Sequence, residues 1–292
     1  MSNFFKRVYS AQYMVKPENI VGEIPSDQEI YKTAMAIAWP SALESVLVQL
    51  ISSADLIMVG VLGAAAISAV GITNQPRLIL LAVIFSLNIG VTAVVARRKG
   101  EDDREAANNT LRQSLMISGI LSLALTVAGI AFAKPIIVFA GAQDEIVENA
   151  VIYFKIICIG NFFTSLGLTI NAAQRGVGNT KISLRTNVVA NIVNLALDYV
   201  IITGRFGFPA LGVPGDAIST AIGNFVGFLL SLKSITITDG FLQLKRKQSW
   251  KPEKHTIMTI FNISGSAFVE QVFMRIGFFT TNKLIAGLGT VA

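Results

Sequence analysis

Residues 114–133 read SLMISGILSLALTVAGIAFA, a run of 20 residues without one charged side chain. A helix needs about 20 mostly apolar residues to cross the hydrocarbon core of a bilayer, and this run has that length. Lys134 ends the run, and Arg112 lies two residues before its start. The stretch therefore predicts a transmembrane helix.

Seven stretches of the chain have the length and apolar character of membrane spans. They are residues 31–60, 66–97, 111–133, 148–173, 183–204, 215–237 and 256–286. Only 14% of the 292 residues are charged, whereas about a quarter are charged in an average soluble domain. A protein that faces hydrocarbon needs charge only in its loops and along a substrate path. The sequence therefore predicts an all-α membrane protein within the lipid bilayer.

The composition argues against several other classes of function. Cys158 and His255 are the only residues of their types, so a disulfide framework or a Cys/His metal site cannot be assembled. No hydrolase motif surrounds His255, and residues 176–181 lack the Gly-Lys-Ser/Thr end of a phosphate loop. The formal net charge of +6 comes from basic residues dispersed among apolar spans. We therefore predict no enzyme activity, no cofactor and no nucleic-acid partner.

Basic residues are concentrated in alternate loops. They follow the second, fourth and sixth spans: Arg97, Arg98, Lys99 and Arg104; Arg175, Lys181 and Arg185; Lys245, Arg246, Lys247, Lys251 and Lys254. The other loops are poor in Lys and Arg, with Arg205 set against Asp216 in the last of them. Loops rich in Lys and Arg face the cytoplasm. The pattern predicts a multi-pass protein of the plasma membrane with a cytoplasmic N-terminus.

The polar stretch 239–254 is the best candidate for a boundary within the chain. Six spans precede it and a new one follows, and a weak internal repeat superposes Glu44 on Glu270. The predicted organisation has four parts: a cytoplasmic segment 1–30, a six-helix N-terminal lobe 31–238, a cytoplasmic linker 239–254 and the first, incomplete helix of a second lobe 255–292.

Acidic and amide side chains lie within two of the spans. Glu44 and Asp55 are eleven residues, or about three turns, apart, so they share a helical face. The fifth span carries a polar stripe of Asn187, Asn191, Asn194 and Asp198. A carboxyl group in such a bundle can exchange a proton near neutral pH, and carboxylate and amide oxygens suit hard cations. Structural acids satisfied by hydrogen bonds, and amides that hold helices together, remain the alternatives.

Two further pairs of polar residues lie on predicted spans. Tyr153 and Asn171 share a face of the fourth span but are 18 residues apart, about 27 Å along the axis, so both cannot touch one ion. Glu270 and Arg275 lie close together on the seventh span. Glu270 is either one half of a local salt bridge or a transport carboxylate.

Five motifs, taken in order, carry a family resemblance. They are ADLIMVGVLG at 54–63, ARRKG at 96–100, QRGVGNTK at 174–181, NLALDY at 194–199 and LGVPG at 211–215. With them the chain from about Ile37 to Ala292 resembles the multidrug and toxic compound extrusion (MATE) family. The resemblance implies twelve helices in two lobes, and export of organic, often cationic, compounds by alternating access in exchange for H⁺ or Na⁺.

The resemblance also implies functional residues. In the N-terminal lobe the proton or cation site would use Asp55, Tyr153, Asn171, Asn194 and Asp198, with Na⁺ held by Asp55, Asn194 and Asp198 if sodium is the coupling ion. Glu270 is similar to an acidic position that some branches use in the second lobe. No metal or cofactor beyond the coupling ion is implied.

The chain departs from the family pattern in two respects. It resembles helices one to seven only, so a second lobe is expected in the full-length protein, and Asp216 stands where the family usually has a small apolar residue. A lipid-linked sugar flippase of the same superfamily is one alternative, with Arg77 and Arg275 as its only candidate mid-span cations. An inactive truncated fragment is the other.

Overall fold

The computed structural model describes residues 26–237, 240–245 and 249–287. Within these ranges the chain is all helical and contains no strand. In chain order the helices are α1 (Asp27–Gly60), α2 (Ala64–Gly100), α3 (Arg104–Ala131), α4 (Ala133–Phe139), α5 (Asp144–Gly176), α6 (Thr180–Ile201), α7 (Gly212–Thr236) and α8 (Lys254–Gly287). The prediction of an all-α membrane protein is confirmed.

Each of the seven predicted spans corresponds to one long helix, and the short α4 is an addition. Six of the helices are long and apolar enough to cross a membrane, and α6 is not one of them. Its amides, its carboxylate and its basic first turns lower its hydropathy, so a polar face rather than a shorter length sets it apart. The predicted segments 1–30 and 255–292 extend into residues outside the described ranges.

Local signals set the helix starts at two places. Ser26 caps α1, because its hydroxyl accepts from the Glu29 amide while the Glu29 side chain accepts from the Ser26 amide. This reciprocal capping box satisfies two amides that have no partner within the helix. Asp103 caps α3 in a simpler way, by accepting from the Ala106 amide at 2.9 Å.

The helix α5 lies at the centre of the bundle, in contact with α2, α3 and α7. The approach of α5 to α7 is close because Gly160 faces the backbone of Ala221, and a Cβ on Gly160 would lie 3.0 Å from the Ala221 Cα. Small residues allow this spacing between helices in membranes. Phe154, Ile157 and Ile170 of α5 are fully buried in the core around it.

The first and last long helices are more peripheral. Helix α1 packs mainly against α6, and most of its apolar side chains, such as Met35 and Trp39, are exposed. Helix α8 packs against α2, where the Ser264 hydroxyl donates to the Leu87 carbonyl at 3.3 Å. The outer faces of both helices are apolar, as helices in contact with lipid or with other apolar helices require.

The described part of the linker before α8 is bound to α3. Asn108 donates to the Phe241 carbonyl at 3.2 Å and accepts from the Gln243 amide at 2.6 Å. Gln113 donates to the Lys251 carbonyl at 2.8 Å. The described residues between α7 and α8 therefore lie along the first turns of α3.

Candidate functional site

Three aspartates from three helices meet in the bundle. Asp55 of α1, Asp198 of α6 and Asp216 of α7 each bring one carboxylate oxygen within 4.8 Å of the other two. Asp198 and Asp216 are fully buried, and Asp55 is partly buried. We refer to Asp55, Asp198 and Asp216 as the aspartate cluster.

The loop between α6 and α7 explains why two of these residues are neighbours. Asp198 lies in the last turn of α6, and Asp216 in the second turn of α7. The Leu211 amide donates to the Ile201 carbonyl at 3.0 Å, so the start of α7 returns to the end of α6. Gly215 then packs directly against Ile201, where a Cβ would lie 3.1 Å from the Ile201 Cγ2. Residue 216 is thereby placed beside Asp198.

Polar residues of α5, α6 and α2 surround the cluster. Asn194 donates to Asp198 Oδ2 at 2.9 Å and lies 3.3 Å from the Thr220 hydroxyl. The Tyr153 hydroxyl and the Arg77 guanidinium are close enough to Asp216 for electrostatic interaction. The Arg77 guanidinium, which donates to Asn161 Oδ1 at 3.2 Å, partly offsets the negative charge of the cluster.

Four carboxylate oxygens of the cluster are buried without a hydrogen-bond donor among the described residues. They are Asp55 Oδ1, Asp198 Oδ1 and both oxygens of Asp216. A buried carboxylate oxygen that lacks a donor is costly unless a proton or a cation neutralises it. The arrangement is therefore suited to bind and release positive charge.

The structure places the two predicted residues of α5 in different surroundings. Tyr153 is buried beside the aspartate cluster. Asn171 instead donates to the Thr186 hydroxyl at 3.1 Å and accepts from the Ser231 hydroxyl at 3.1 Å. Thr186 precedes Asp198 by twelve residues on α6, which is about 18 Å along the helix. Asn171 therefore belongs to a second polar layer, away from the aspartate cluster.

The carboxylate of Glu44 is held in place by hydrogen bonds to α6. Its carboxylate accepts hydrogen bonds from the Ser183 hydroxyl at 3.1 Å and from the Asn187 amide, both on α6. The guanidinium of Arg175 donates to the same Ser183 hydroxyl at 3.0 Å. The polar stripe of α6 is thus divided, because Asn187 faces Glu44 whereas Asn194 faces Asp198.

Glu270 lies on the exposed part of α8, away from the aspartate cluster. The ion pairs recorded among the described residues all lie between residues 97 and 102, so Glu270 and Arg275 are not paired with each other there. A role of Glu270 in a second lobe stays a prediction.

Asp216 was not among the predicted site residues, although the predicted span 215–237 contains it. The loop-charge count assigned Asp216 to an outer loop with Arg205, but the residue is helical and fully buried. The available signal was its departure from the family pattern directly after Gly215. Only the contact between the end of α6 and the start of α7 shows that the carboxylate of Asp216 lies in the site.

Most of the residues described above lie in a region that matches a known protein family. The MatE family model matches residues 40–200, which is more than half of the chain. This chain belongs to the MatE family. The matched region contains Asp55, Tyr153, Asn171, Asn194 and Asp198, whereas Asp216 lies beyond it. The resemblance seen in the sequence motifs is confirmed, and the family is one of membrane transporters.

Individual relatives agree with this assignment. The probable multidrug resistance protein NorM of Thermotoga maritima is 31% identical over 205 residues, which cover 70% of this chain and 44% of that protein. The uncharacterized transporter YisQ of Bacillus subtilis is 25% identical over 270 residues, which cover 92% of this chain and 58% of that protein.

A solved structure shows the same fold. A MOP superfamily transporter from Pyrococcus furiosus superposes with a TM-score of 0.79 at 25% identity, covering 86% of this chain and 55% of that one. The chain thus spans about half the length of the relatives it matches.

Proposed function

We propose that this chain forms one lobe of an antiporter that exports organic, often cationic, compounds in exchange for H⁺ or Na⁺. The observation that carries the proposal is the aspartate cluster, whose carboxylate oxygens are buried without donors. The names of the multidrug resistance relatives support the choice of substrate class. A transport cycle, rather than catalysis, is the use that we propose for these acids.

The position of the cluster between helices offers a mechanism for coupling. Asp55 belongs to α1, which packs mainly against α6, whereas Asp198 and Asp216 belong to the tightly packed pair α6 and α7. Ionised carboxylates in the cluster repel one another, and a bound proton or Na⁺ removes this repulsion. Binding would therefore draw α1 toward α6 and α7, so that the states with and without the ion differ in packing and in affinity for the exported compound.

We further propose that the cytoplasm lies on the side of the basic loops, with the N-terminus on that side and the plasma membrane as the location. One cavity of about 820 Å³ is lined by Lys32, Lys99 and Lys181, which come from α1, α2 and the start of α6. The Lys99 ammonium also lies 3.9 Å from the ring of Phe241 in the linker. The basic loops thus share one face of the bundle, which supports this orientation.

Efflux of a cationic dye from cells that produce the full-length protein tests the site assignment. We expect the double substitution Asp55→Asn and Asp198→Asn to abolish energy-dependent efflux, because it removes two of the charges that respond to the ion. The matched control is Asp102→Asn, which changes an acid whose side chain is 89% exposed in a loop outside the spans. Efflux that persists in the double variant at equal membrane abundance would show that the assignment is wrong.

Ligand binding by the purified full-length protein addresses the flippase alternative. That function needs cations along the substrate path, and Arg77 is engaged, since it donates to Asn161 at 3.2 Å and faces Asp216. We expect purified protein to bind cationic dyes in preference to a radiolabelled lipid-linked sugar precursor. Preference for the precursor would favour the flippase.

A further inference from the structure

We propose that the aspartate cluster takes up two monovalent cations in each transport cycle, and that Asp216 is the residue that adds the second. The inference rests on the proposed function, because it specifies the ion stoichiometry of the same site. It concerns Asp216, which lies outside the region matched by the family model.

The negative charges of the aspartate cluster exceed the positive charge beside it. Three carboxylates lie within 4.8 Å of one another, and Arg77 supplies one positive charge near Asp216. Two negative charges are then left without a counter-charge in a buried site. Because uncompensated charge is strongly unfavourable at low dielectric, the occupied site requires two added positive charges.

Asp216 also lacks a hydrogen bond of good geometry among the described residues, and the Tyr153 hydroxyl is the donor beside it. Both of its oxygens are buried without a hydrogen-bond partner, although the residue is fully buried. Asp198, in contrast, has one oxygen held by Asn194 at 2.9 Å. A carboxylate kept inside the bundle with two open oxygens is placed to receive a proton or a cation, rather than to hold the helices together.

The two charges need not be two metal ions. One Na⁺ ion can be shared by Asp55 and Asp198, whose carboxylate oxygens lie within 4.8 Å of each other, with the Thr220 hydroxyl close by on Asn194. A proton on Asp216 then adds the second charge and removes the repulsion toward the other two carboxylates. Two protons shared over the cluster satisfy the same charge balance.

The test is the coupling ratio of the full-length protein in proteoliposomes at zero membrane potential. Net flux of tetraphenylphosphonium stops when its own gradient balances the H⁺ or Na⁺ gradient. With a tenfold gradient imposed on H⁺ and on Na⁺ in the same direction, a ratio of two supports about a hundredfold substrate gradient, and a ratio of one supports about a tenfold gradient. We expect about two for the wild type and about one for Asp216→Asn.

Two further variants make the result decisive. Asp216→Glu keeps the carboxylate and should keep the ratio at about two. Glu44→Gln changes a membrane acid that already has donors from Ser183 and Asn187, and it should leave the ratio unchanged. A ratio of one in the wild type, or an unchanged ratio in Asp216→Asn, overturns the inference and leaves the proposed function intact. Flux that responds to neither gradient overturns the proposed function and the inference together.

Discussion

Glu44 and Asp55 lie on the same helix and have opposite surroundings. The carboxylate of Glu44 accepts hydrogen bonds from two side chains of α6, whereas Asp55 Oδ1 has no donor among the described residues. Fixed donors stabilise a carboxylate in one position, and an open oxygen is available for an exchangeable cation. The first acid is therefore suited to packing, and the second to ion exchange.

Asn194 positions Asp198, and its removal should be measurable as a loss of stability. We expect Asn194→Ala to lower the free energy of unfolding by about 1–3 kcal/mol, because Asp198 Oδ2 loses its donor while it stays buried. Thermal unfolding of the purified protein in detergent measures this change.

The matched control for that prediction is Asn191→Ala on the same helix. The Asn191 side chain donates to the Asn187 carbonyl of its own helix at 2.7 Å and is only partly buried. We expect Asn191→Ala to lower the free energy of unfolding by less than Asn194→Ala does. If the free energy of unfolding falls equally in the two variants, the hydrogen bond to Asp198 contributes no more stability than the bond within α6.

At the level of elements, the pair α6 and α7 is packed more closely than α1 against either of them. Gly223 of α7 faces the backbone of α6, where an added Cβ would lie 2.8 Å from the Ala190 carbonyl oxygen and 2.9 Å from the Asn194 Cβ. Helix α1, with most of its side chains exposed, has no comparable contact. This contrast makes α1 the element that can shift when the charge of the cluster changes.

A methyl group at Gly223 should therefore separate α6 from α7. We expect Gly223→Ala to destabilise the protein by about 1–3 kcal/mol through overpacking and to weaken ion binding, since Asn194 must move. Gly71→Ala is the control, because nothing lies within 4 Å of a Cβ at that position of α2. The midpoint of thermal unfolding, measured with and without the coupling ion, should fall for Gly223→Ala only.

At the scale of the whole molecule, the arrangement of the loops predicts its orientation in the membrane. Ser249 lies in the linker on the basic face, and Gln143 lies in the loop before α5, on the face predicted to be outside. Both residues are exposed, and the native Cys158 is buried.

Labelling of single cysteines tests this orientation. In a Cys158→Ser background, a membrane-impermeant maleimide should label Gln143→Cys in intact cells, and Ser249→Cys only after permeabilisation. The expectation follows from the exclusion of basic loops from the outer face. The reverse pattern of labelling would invert the proposed topology.

The fold was largely predictable from the sequence because hydropathy acts locally. Each of the seven predicted spans corresponds to one helix, since about 20 apolar residues in lipid must satisfy their own backbone hydrogen bonds. The short helix α4 was missed, because seven residues after Phe132 carry no separate periodic signal. The candidate site was only partly predictable, as Asp55 and Asp198 were chosen from helical faces while Asp216 was assigned to a loop.

The sequence alone determined that the chain is a helical membrane protein of the MatE family, and that acids and amides lie inside its spans. These properties depend on composition, short-range spacing and motifs. Only the tertiary structure decided which of the polar residues meet. Asp55, Asp198 and Asp216 are brought together by helix packing across up to 161 positions of the chain. No local pattern specifies such a contact, because it depends on how α1, α6 and α7 approach one another.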